Sequence, residues 1–318
     1  MPALDFPLEK LKTYTGSSPL PKDFDTYWAN ALAELDALPL TYTTEDAAFT
    51  APGVICQHLY FTGVGGAKIH CKFLRPAKVE GKIPAIAMFH GYSGHSGGWV
   101  EKLPYVYAGN AVLALDVRGQ MGLSEDNFHS TGTTLRGHII RGLDGDGDLF
   151  YRNIFLDTVQ TARILMAMDF VDETRIGATG GSQGGALSIA CAALEPRVKK
   201  VVSIFPFLSD YRRVWEMDNC KNAYEELLYY LKRRDPRHQH VDAMFEKLGY
   251  IDVSNLAPRI KGEAYMFLSL MDATCPPSTQ FAVYNKITSE KSCEIYPNHG
   301  HEALPEQDEL VYEFFKGL

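Results

Sequence analysis

Short apolar runs recur along the middle and the C-terminal part of the chain, and segments of helical length separate most of them. Residues 152–169 and 184–195 are two such intervening segments. Apolar strands that alternate with helices indicate a mostly parallel sheet with helices on both faces, which is an α/β fold. The predicted strands are IPAIAMF (83–89), AVLALDV (111–117), RIGAT (175–179), VKKVVSIF (198–205) and EAYMFLSL (263–270).

The N-terminal part of the chain and one later segment have different patterns. The apolar positions of residues 22–36 recur at helical spacing, which predicts an amphipathic helix. The segments VICQHLYFT and AKIHCKFLRP follow, and the glycine-rich turn between them predicts a β-hairpin. Residues 208–260 are rich in Tyr, Arg, Lys and Asp, which predicts a helical, cap-like excursion between two strands. Without repeats or a long linker, residues 1–318 are expected to form a single domain.

Polar or turn-forming residues stand directly after the predicted strands. Ligands of such a sheet bind beyond the carboxyl ends of the strands, so these positions are the first candidates for a functional site. They are His90-Gly91-Tyr92, the segment from Asp116 to Gln120, Ser182, Pro206-Phe207 and Asp272.

Ser182 lies in the sequence GGSQG, immediately after a predicted strand and before a predicted helix. The pattern G-x-S-x-G in that context is typical of a nucleophile elbow, in which a sharp turn lifts the serine hydroxyl clear of the sheet. A serine that only caps a helix after a glycine turn is the alternative. The elbow predicts that Ser182 is a catalytic nucleophile, which needs a base and an acid that orients the base.

In this type of sheet the acid and the histidine follow the serine in that order along the chain. Asp272 comes just after a late strand, which is the position that the acid requires, although an aspartate there can also be a plain turn residue. Asp210 follows an earlier strand and Asp252 precedes the late one, so both are weaker candidates.

The base and the oxyanion donors come from loops. The segment YPNHGHE contains His299 and His301, and its position near the C-terminus leaves both open as the base. The backbone N–H of Gln183 follows the nucleophile, and that of Tyr92 lies in the loop after an earlier strand, so both are predicted oxyanion donors. The alternative for Tyr92 is a surface tyrosine in a flexible glycine loop.

Composition narrows the classes of partner. A net charge of −8 argues against nucleic acid, because phosphate binding needs clustered Lys and Arg. The chain has no uninterrupted apolar run of transmembrane length, so no membrane span or membrane partner is expected. Its N-terminal stretch carries acids and prolines where a signal peptide would be apolar. The six cysteines lack CxxC spacing, which favours a reducing, cytoplasmic location and no zinc.

Two further motifs resemble ligand sites without meeting their requirements. The segment DGDGDL (144–149) is similar to a calcium loop, but Leu149 and Phe155 stand where such a loop needs Gly and Glu. The glycine-rich segment 91–98 lacks the lysine of a phosphate-binding loop. We therefore expect neither a metal nor another cofactor.

Three motifs together resemble the acetyl xylan esterase and cephalosporin C deacetylase family of α/β-hydrolases. They are Arg118-Gly119-Gln120, the GGSQG segment around Ser182, and His301-Glu302, and the resemblance extends over nearly the whole chain. The resemblance implies that His301 is the base and Asp272 the acid, and it supports Tyr92 and Gln183 as oxyanion donors. It also implies that Arg118, Gly119 and Gln120 brace the loops around the site.

The resemblance further implies a serine esterase that deacetylates small carbohydrates, particularly xylo-oligosaccharides, and cephalosporin C. It implies a cytoplasmic homo-oligomer, typically a hexamer. The residues alone predict only a serine hydrolase, for which a generic short-chain carboxylesterase is the main alternative. A peptidase and a non-catalytic α/β-hydrolase-like binding protein are more distant ones.

Overall fold

The apolar runs form one mixed sheet in the computed structural model, which describes residues 4–129, 137–145 and 148–318. The strand order is β1-β2-β3-β5-β4-β6-β7-β8-β9. The strands are β1 (Tyr42–Asp46), β2 (Val54–Thr62), β3 (Lys68–Pro76), β4 (Ile83–Phe89), β5 (Ala111–Leu115), β6 (Val171–Gly181), β7 (Lys200–Ile204), β8 (Glu263–Ser269) and β9 (Lys291–Tyr296).

Helices connect the strands and cover the sheet. The strands from β5 and β4 through β9 pair in parallel, whereas β1, β2 and β3 pair antiparallel and join β5 antiparallel. The α-helices of the described residues are α1 (Leu8–Leu11), α2 (Phe24–Asp36), α3 (Leu103–Tyr107), α4 (Phe150–Met166), α5 (Gln183–Leu194), α6 (Tyr211–Glu216), α7 (Glu225–Arg234), α8 (Val241–Leu248), α9 (Val253–Leu256), α10 (Pro277–Lys286) and α11 (Gln307–Lys316).

The core lies on both faces of the parallel strands, as the continuous apolar runs predict. Ala85 and Ala87 of β4 join a large cluster with α4 and α5, while Ile86 between them joins a second cluster with Phe315 of α11. Successive side chains of a strand point to opposite faces, so a strand buried on both sides has no polar face. The predicted α/β-hydrolase fold, with helices on both faces, is confirmed.

The N-terminal helix and the hairpin are also confirmed, as α2 and as the antiparallel pair β2 and β3. Strand β1 was not predicted, because all five of its residues are exposed and no apolar alternation marks it. Strand β6 begins at Val171, earlier than the apolar run 175–179 indicated. After Val171 the first half of β6 is polar, so the hydrophobic pattern indicated only the apolar run further along the strand.

The excursion between β7 and β8 is helical, as predicted, and consists of α6 to α9 with short 3₁₀ turns. The N-terminal segment of the chain holds it in place. The carboxylate of Asp210 accepts hydrogen bonds from the Tyr14 hydroxyl and the Ser18 backbone N–H, both at 2.8 Å. The indole N–H of Trp28 in α2 donates to the carbonyl of Tyr250 at 3.1 Å.

No helix in the described ranges is both long and apolar enough to cross a membrane. Of the DGDGDL segment that resembles a calcium loop, residues 146 and 147 lie outside the described residues.

Candidate active site

Ser182 occupies a sharp turn between the end of β6 and the start of α5. Its backbone angles are φ 58° and ψ −119°, a region that side chains other than glycine rarely adopt. The turn is held by the Ser182 backbone N–H, which donates to the carbonyl of Ile204 at 2.9 Å. Backbone strain of this kind persists only where the surroundings enforce it, and it clusters at functional sites.

The glycines around Ser182 permit a close approach of three backbone segments. A Cβ at Gly184 would collide with the carbonyl of Phe89 at the end of β4, and one at Gly180 would collide with the same carbonyl. The GGSQG sequence therefore follows from the packing of the turn against the neighbouring strand, and the strained geometry of an elbow is present.

His301 and Asp272 converge on Ser182. The Nε2 atom of His301 lies 3.0 Å from the Ser182 Oγ, and the His301 Nδ1 lies 2.8 Å from the Asp272 Oδ2. Asp272 is fully buried, and its Oδ1 accepts from the backbone N–H groups of Thr274 and Cys275 at 2.8 and 2.7 Å. A carboxylate beside Nδ1 requires that nitrogen to carry the proton, which leaves Nε2 free to accept the serine proton.

The other candidates for the acid and the base have different contacts. The ring of His299 packs edge-on against Tyr296, with ring centroids 5.5 Å apart. Asp210 binds the N-terminal segment, and Asp252 caps α9 through the backbone N–H of Ser254 at 2.9 Å. Among the candidates that the sequence left open, the structure brings Asp272 and His301 to Ser182.

Tyr92 and Gln183 lie on the two segments that border the serine. Gln183 is the first residue of α5, where helices leave their backbone N–H groups without intrahelical partners. Tyr92 belongs to the loop after β4, in which the Gly94 N–H donates to the Gly91 carbonyl at 3.1 Å. The ring of Tyr92 packs edge-on against Phe207, whose backbone N–H donates to the Ser182 carbonyl at 3.0 Å.

The side chain of Gln183 is completely buried, and both its amide oxygen and its amide nitrogen are hydrogen-bonded. Its Oε1 accepts from the Gln120 amide at 2.7 Å and from the Tyr151 hydroxyl at 2.8 Å, while its Nε2 donates to the Gln120 Oε1 at 3.1 Å. The reciprocal amide pair fixes the start of α5. Tyr151 was not predicted, since nothing in the pattern of its helix distinguishes it from other core aromatics.

The remainder of the Arg118-Gly119-Gln120 segment is anchored away from the serine. The Arg118 guanidinium is buried and bidentate to Asp157 of α4, at 2.6 and 2.7 Å, and it also donates to the Val64 carbonyl at 3.0 Å. Gly119 has a φ of +71°, and a Cβ there would crowd the Asp126 carboxylate. The segment therefore links α4 and the hairpin turn to Gln183.

Three side chains of the same site carry metal-ligating groups. One ligand atom each from Asp272, Cys275 and His301 lies within 4.8 Å of the others. A carboxylate, a thiol and an imidazole suit zinc, but Asp272 and His301 are hydrogen-bonded to each other. Burial and the nearby Asp272 hold the pKa of the Cys275 thiol well above its usual range, which keeps the sulfur protonated. An ion here would have to break the Asp–His contact.

Serine hydrolases combine a serine at a strained elbow with an Asp–His pair on an α/β-hydrolase sheet, as this site does. The family model described as acetyl xylan esterase (AXE1) matches residues 1–318. The chain belongs to this family. The acetyl xylan esterases are carboxylic ester hydrolases, and the resemblance inferred from the sequence motifs is confirmed.

Solved structures of the acetyl xylan esterases match along the whole chain. Acetyl xylan esterase 1 from a Thermoanaerobacterium species is 54% identical, with a TM-score of 0.97 and coverage of 99% of both chains. An acetyl xylan esterase from a Paenibacillus species is 33% identical, with a TM-score of 0.93 and coverage of 98% of this chain and 99% of that one.

Among curated proteins, acetyl esterase Axe7A from Xylanibacter ruminicola is 28% identical over 311 residues, which cover 93% of this chain. The match spans 66% of that relative, so the relative carries a substantial additional portion.

Proposed function

We propose that this protein removes acetyl groups from small acetylated carbohydrates through an acyl-enzyme intermediate on Ser182. The observation that carries the proposal is the hydrogen-bonded series Ser182 Oγ, His301 and Asp272, with contacts of 3.0 and 2.8 Å. Family membership supports an acetyl ester as the substrate.

In the proposed reaction, the Ser182 Oγ attacks the acetyl carbonyl carbon while His301 Nε2 takes the hydroxyl proton. Collapse of the tetrahedral intermediate breaks the bond to the sugar oxygen, which leaves with the proton from His301. Water then attacks the acetyl-serine with the same histidine as base, and acetate leaves. The buried Asp272 carboxylate keeps His301 in the required tautomer and stabilises the imidazolium as it forms.

We assign the oxyanion donors to the backbone N–H groups of Tyr92 and Gln183. Gln183 directly follows the serine, and Tyr92 lies in the loop after β4, the strand that pairs with β6. Donors that are fixed before the reaction stabilise developing charge without reorganisation. Gln120 is a positioning residue for the Gln183 donor, because its side-chain amide donates to the Gln183 Oε1 at 2.7 Å. Arg118 and Gly119 anchor the same loop.

The substrate assignment follows the family. We infer that acetylated xylo-oligosaccharides and cephalosporin C are substrates, and that the acyl pocket admits acetyl and little more. The rings of Tyr92 and Phe207 support this limit, because they pack together with centroids 5.6 Å apart and the backbone N–H of Phe207 donates to the Ser182 carbonyl. Rigid rings exclude additional methylenes by steric overlap.

The decisive experiment compares Ser182→Ala with the wild-type protein. Acetate release from acetylated xylo-oligosaccharides should fall by about 10⁴-fold or more, and fluorophosphonate labelling should disappear. The circular dichroism spectrum should not change, because the hydroxyl carries little packing. Persistent labelling or turnover in the folded variant would contradict the assignment of the nucleophile.

The acyl limit has a test of its own. The value of kcat/KM should fall from 4-nitrophenyl acetate to butyrate to octanoate, by roughly tenfold or more for each methylene that overlaps the rings. An open groove predicts a rise instead, because each buried CH₂ gains about 0.8 kcal/mol. Such a rise would identify a generic short-chain carboxylesterase.

We also propose a cytoplasmic homo-oligomer, a hexamer by analogy with the family. All six cysteines are free, which suits a reducing compartment. Large apolar side chains exposed at Val100, Tyr107, Met121 and Leu123 are candidates for subunit contacts. Sedimentation velocity should give six times the mass of the chain, and a monomer would contradict the hexamer.

A further inference from the structure

Glu226 lies in the first turn of α7, within the helical excursion, yet it is 1% exposed. Its neighbour Glu225 faces the solvent, so the two adjacent acids occupy opposite environments. Burying a carboxyl group is costly unless its oxygens find donors. The proposed reaction involves none of the contacts that stabilise the buried Glu226 carboxyl.

Both carboxylate oxygens of Glu226 accept hydrogen bonds. The Oε2 atom accepts from the backbone N–H of Ile140 at 3.0 Å, and the Oε1 accepts from the hydroxyl of Tyr92 at 3.3 Å. The same hydroxyl accepts from the backbone N–H of His138 at 3.2 Å. A side chain at Gly137 would collide with the carboxylate, so this glycine makes the approach possible.

The excursion also reaches the site through aromatic contacts. The ring of Tyr224, two residues before Glu226, packs on Phe207 with centroids 4.5 Å apart. Phe207 in turn contacts the ring of Tyr92, at 5.6 Å. Tyr92 is thus held by the edge-on contact with Phe207 and by Glu226 at its hydroxyl, while its backbone lies in the loop after β4.

We propose that Glu226 is a positioning residue that fixes the ring of Tyr92 as a wall of the acyl pocket and thereby sets the limit on acyl length. The proposal rests on the proposed esterase function, since it concerns the pocket of that same site. Without the carboxylate the ring can swing away from Phe207, and a longer acyl group then fits.

The ionisation of Glu226 provides a second readout. Burial raises the pKa of this carboxyl to about 7, in spite of the hydrogen bonds from Ile140 and Tyr92. Above this pH the carboxylate is charged and binds its donors strongly. Below it the protonated group accepts more weakly and the ring is less firmly held, so discrimination against butyrate should relax as the pH falls through 7.

The histidine and the tyrosines that the structure describes around Glu226 do not change charge between pH 5.5 and 8.5. Burial, with Arg141 nearby, lowers the pKa of His138 to about 4, so this ring stays neutral. Burial raises the pKa of Tyr92 and holds those of Tyr151 and Tyr211 well above their ordinary value. The guanidinium of Arg141 lies 3.4 Å from the Nδ1 of His138. A change in acyl preference within this range therefore reports on Glu226.

The experiment measures the ratio of kcat/KM for 4-nitrophenyl butyrate to that for the acetate. Both substrates use the same base, so the titration of that base cancels in the ratio. The variants Tyr92→Phe and Glu226→Ala should each raise the ratio by about fivefold. This is less than the full discrimination that a closed pocket achieves against an added methylene, because only one wall is loosened. The double variant should show no further rise, because both changes remove one contact.

Glu226→Gln separates charge from packing. In this variant the butyrate-to-acetate ratio should equal the wild-type ratio at pH 5.5 and should keep that value up to pH 8.5. The wild-type ratio should instead fall as the pH rises across that range. Glu246→Gln, an exposed acid of α8 in the same excursion, is the matched control and should follow the wild-type curve.

Unchanged ratios in Tyr92→Phe, or a wild-type ratio that is flat with pH, would overturn the proposal. Both results are readable even if Glu226→Ala fails to fold. Failure of the proposed function gives a different result, because the wild-type protein would then hydrolyse neither ester, or would hydrolyse the butyrate at least as fast as the acetate, at every pH.

Discussion

Two Asp–His pairs lie in the described part of the chain, and their geometry is nearly the same. His301 Nδ1 is 2.8 Å from the Asp272 Oδ2, and His70 Nδ1 is 2.6 Å from the Asp116 Oδ2. Each aspartate stands just beyond the end of a strand and accepts from two backbone N–H groups. Distance and position in the sheet do not distinguish the two pairs.

The pairs differ in what lies at the second imidazole nitrogen. His301 Nε2 is 3.0 Å from the Ser182 hydroxyl, and the side chain is 25% exposed, so a substrate can reach it. His70 is fully buried, and its Nε2 lies 2.8 Å from the Nδ1 of His58. Of these two pairs, only that of His301 has its outer nitrogen beside a hydroxyl, which is the arrangement that a catalytic base requires.

Asp116 instead organises a loop. It accepts from the backbone N–H groups of Ser96 and Leu123, at 2.6 and 2.9 Å, and so joins the loop after β4 to the segment that carries Gln120. The second pair thus supports the surroundings of the proposed oxyanion donors without touching the serine.

The largest expected difference is between the histidines. His301→Ala should lower kcat for 4-nitrophenyl acetate by about 10⁴–10⁶-fold, because the serine loses its base. His70→Ala and His299→Ala should each stay within about tenfold of wild type, since neither ring reaches Ser182. Steady-state kinetics on folded variants checks this, and a collapse in His299→Ala but not in His301→Ala would move the base to His299.

The aspartates should differ almost as strongly. Asp272→Asn should cost about 10⁴-fold in kcat through the wrong histidine tautomer, as in other triads. Asp116→Asn should instead destabilise the fold by about 1–3 kcal/mol, because a buried donor loses its acceptor. Urea unfolding and kcat measured on the same preparations separate the two effects. Equal losses of kcat would erase the distinction between the pairs.

The pH dependence of kcat/KM should come from the His301–Asp272 pair and not from the His70–Asp116 pair. A histidine base works when neutral, so kcat/KM should fall by roughly tenfold per unit at acid pH. Replacing His70 with Asn should leave the midpoint of that fall in place. A shifted midpoint in this variant would show that the second pair is coupled to the base.

The smallest expected effect is on stability at low pH. Burial opposes ionisation of Asp116, but hydrogen bonds from His70, Leu123 and Ser96 outweigh it and hold its pKa well below the ordinary value. This carboxylate therefore stabilises the fold above its unfolded pKa, about 3.9, and loses that contribution as the pH falls towards the folded value. The urea midpoint of Asp116→Asn should fall less between pH 5 and 3 than that of the wild type.

The fold and part of the site were predictable from the sequence because their signals are local. Strands buried on both faces produce continuous apolar runs in the sequence. The turn at Ser182 needs glycine at the positions that lie against the carbonyl at the end of β4. Strand β1 left no such signal, since all its residues are exposed.

Contacts that depend on tertiary packing could not be predicted in this way. Glu225 and Glu226 are the same residue type side by side, and only the packing of α7 decides which one is buried. The choice of His301 over His299 came from the family motif, because spacing treats both alike. The burial of Tyr151 against Gln183 likewise depends on how α4 crosses α5.

The hydrogen bonds between the N-terminal segment and the helical excursion affect the order of folding. The partners of Tyr14 and Trp28 lie 196 and 222 residues further along the chain. During synthesis the first helices therefore emerge long before the groups that they bind. Contacts at such separation are slow to form, because a long loop must close first. We expect the excursion to acquire its final packing late, after the central sheet has formed.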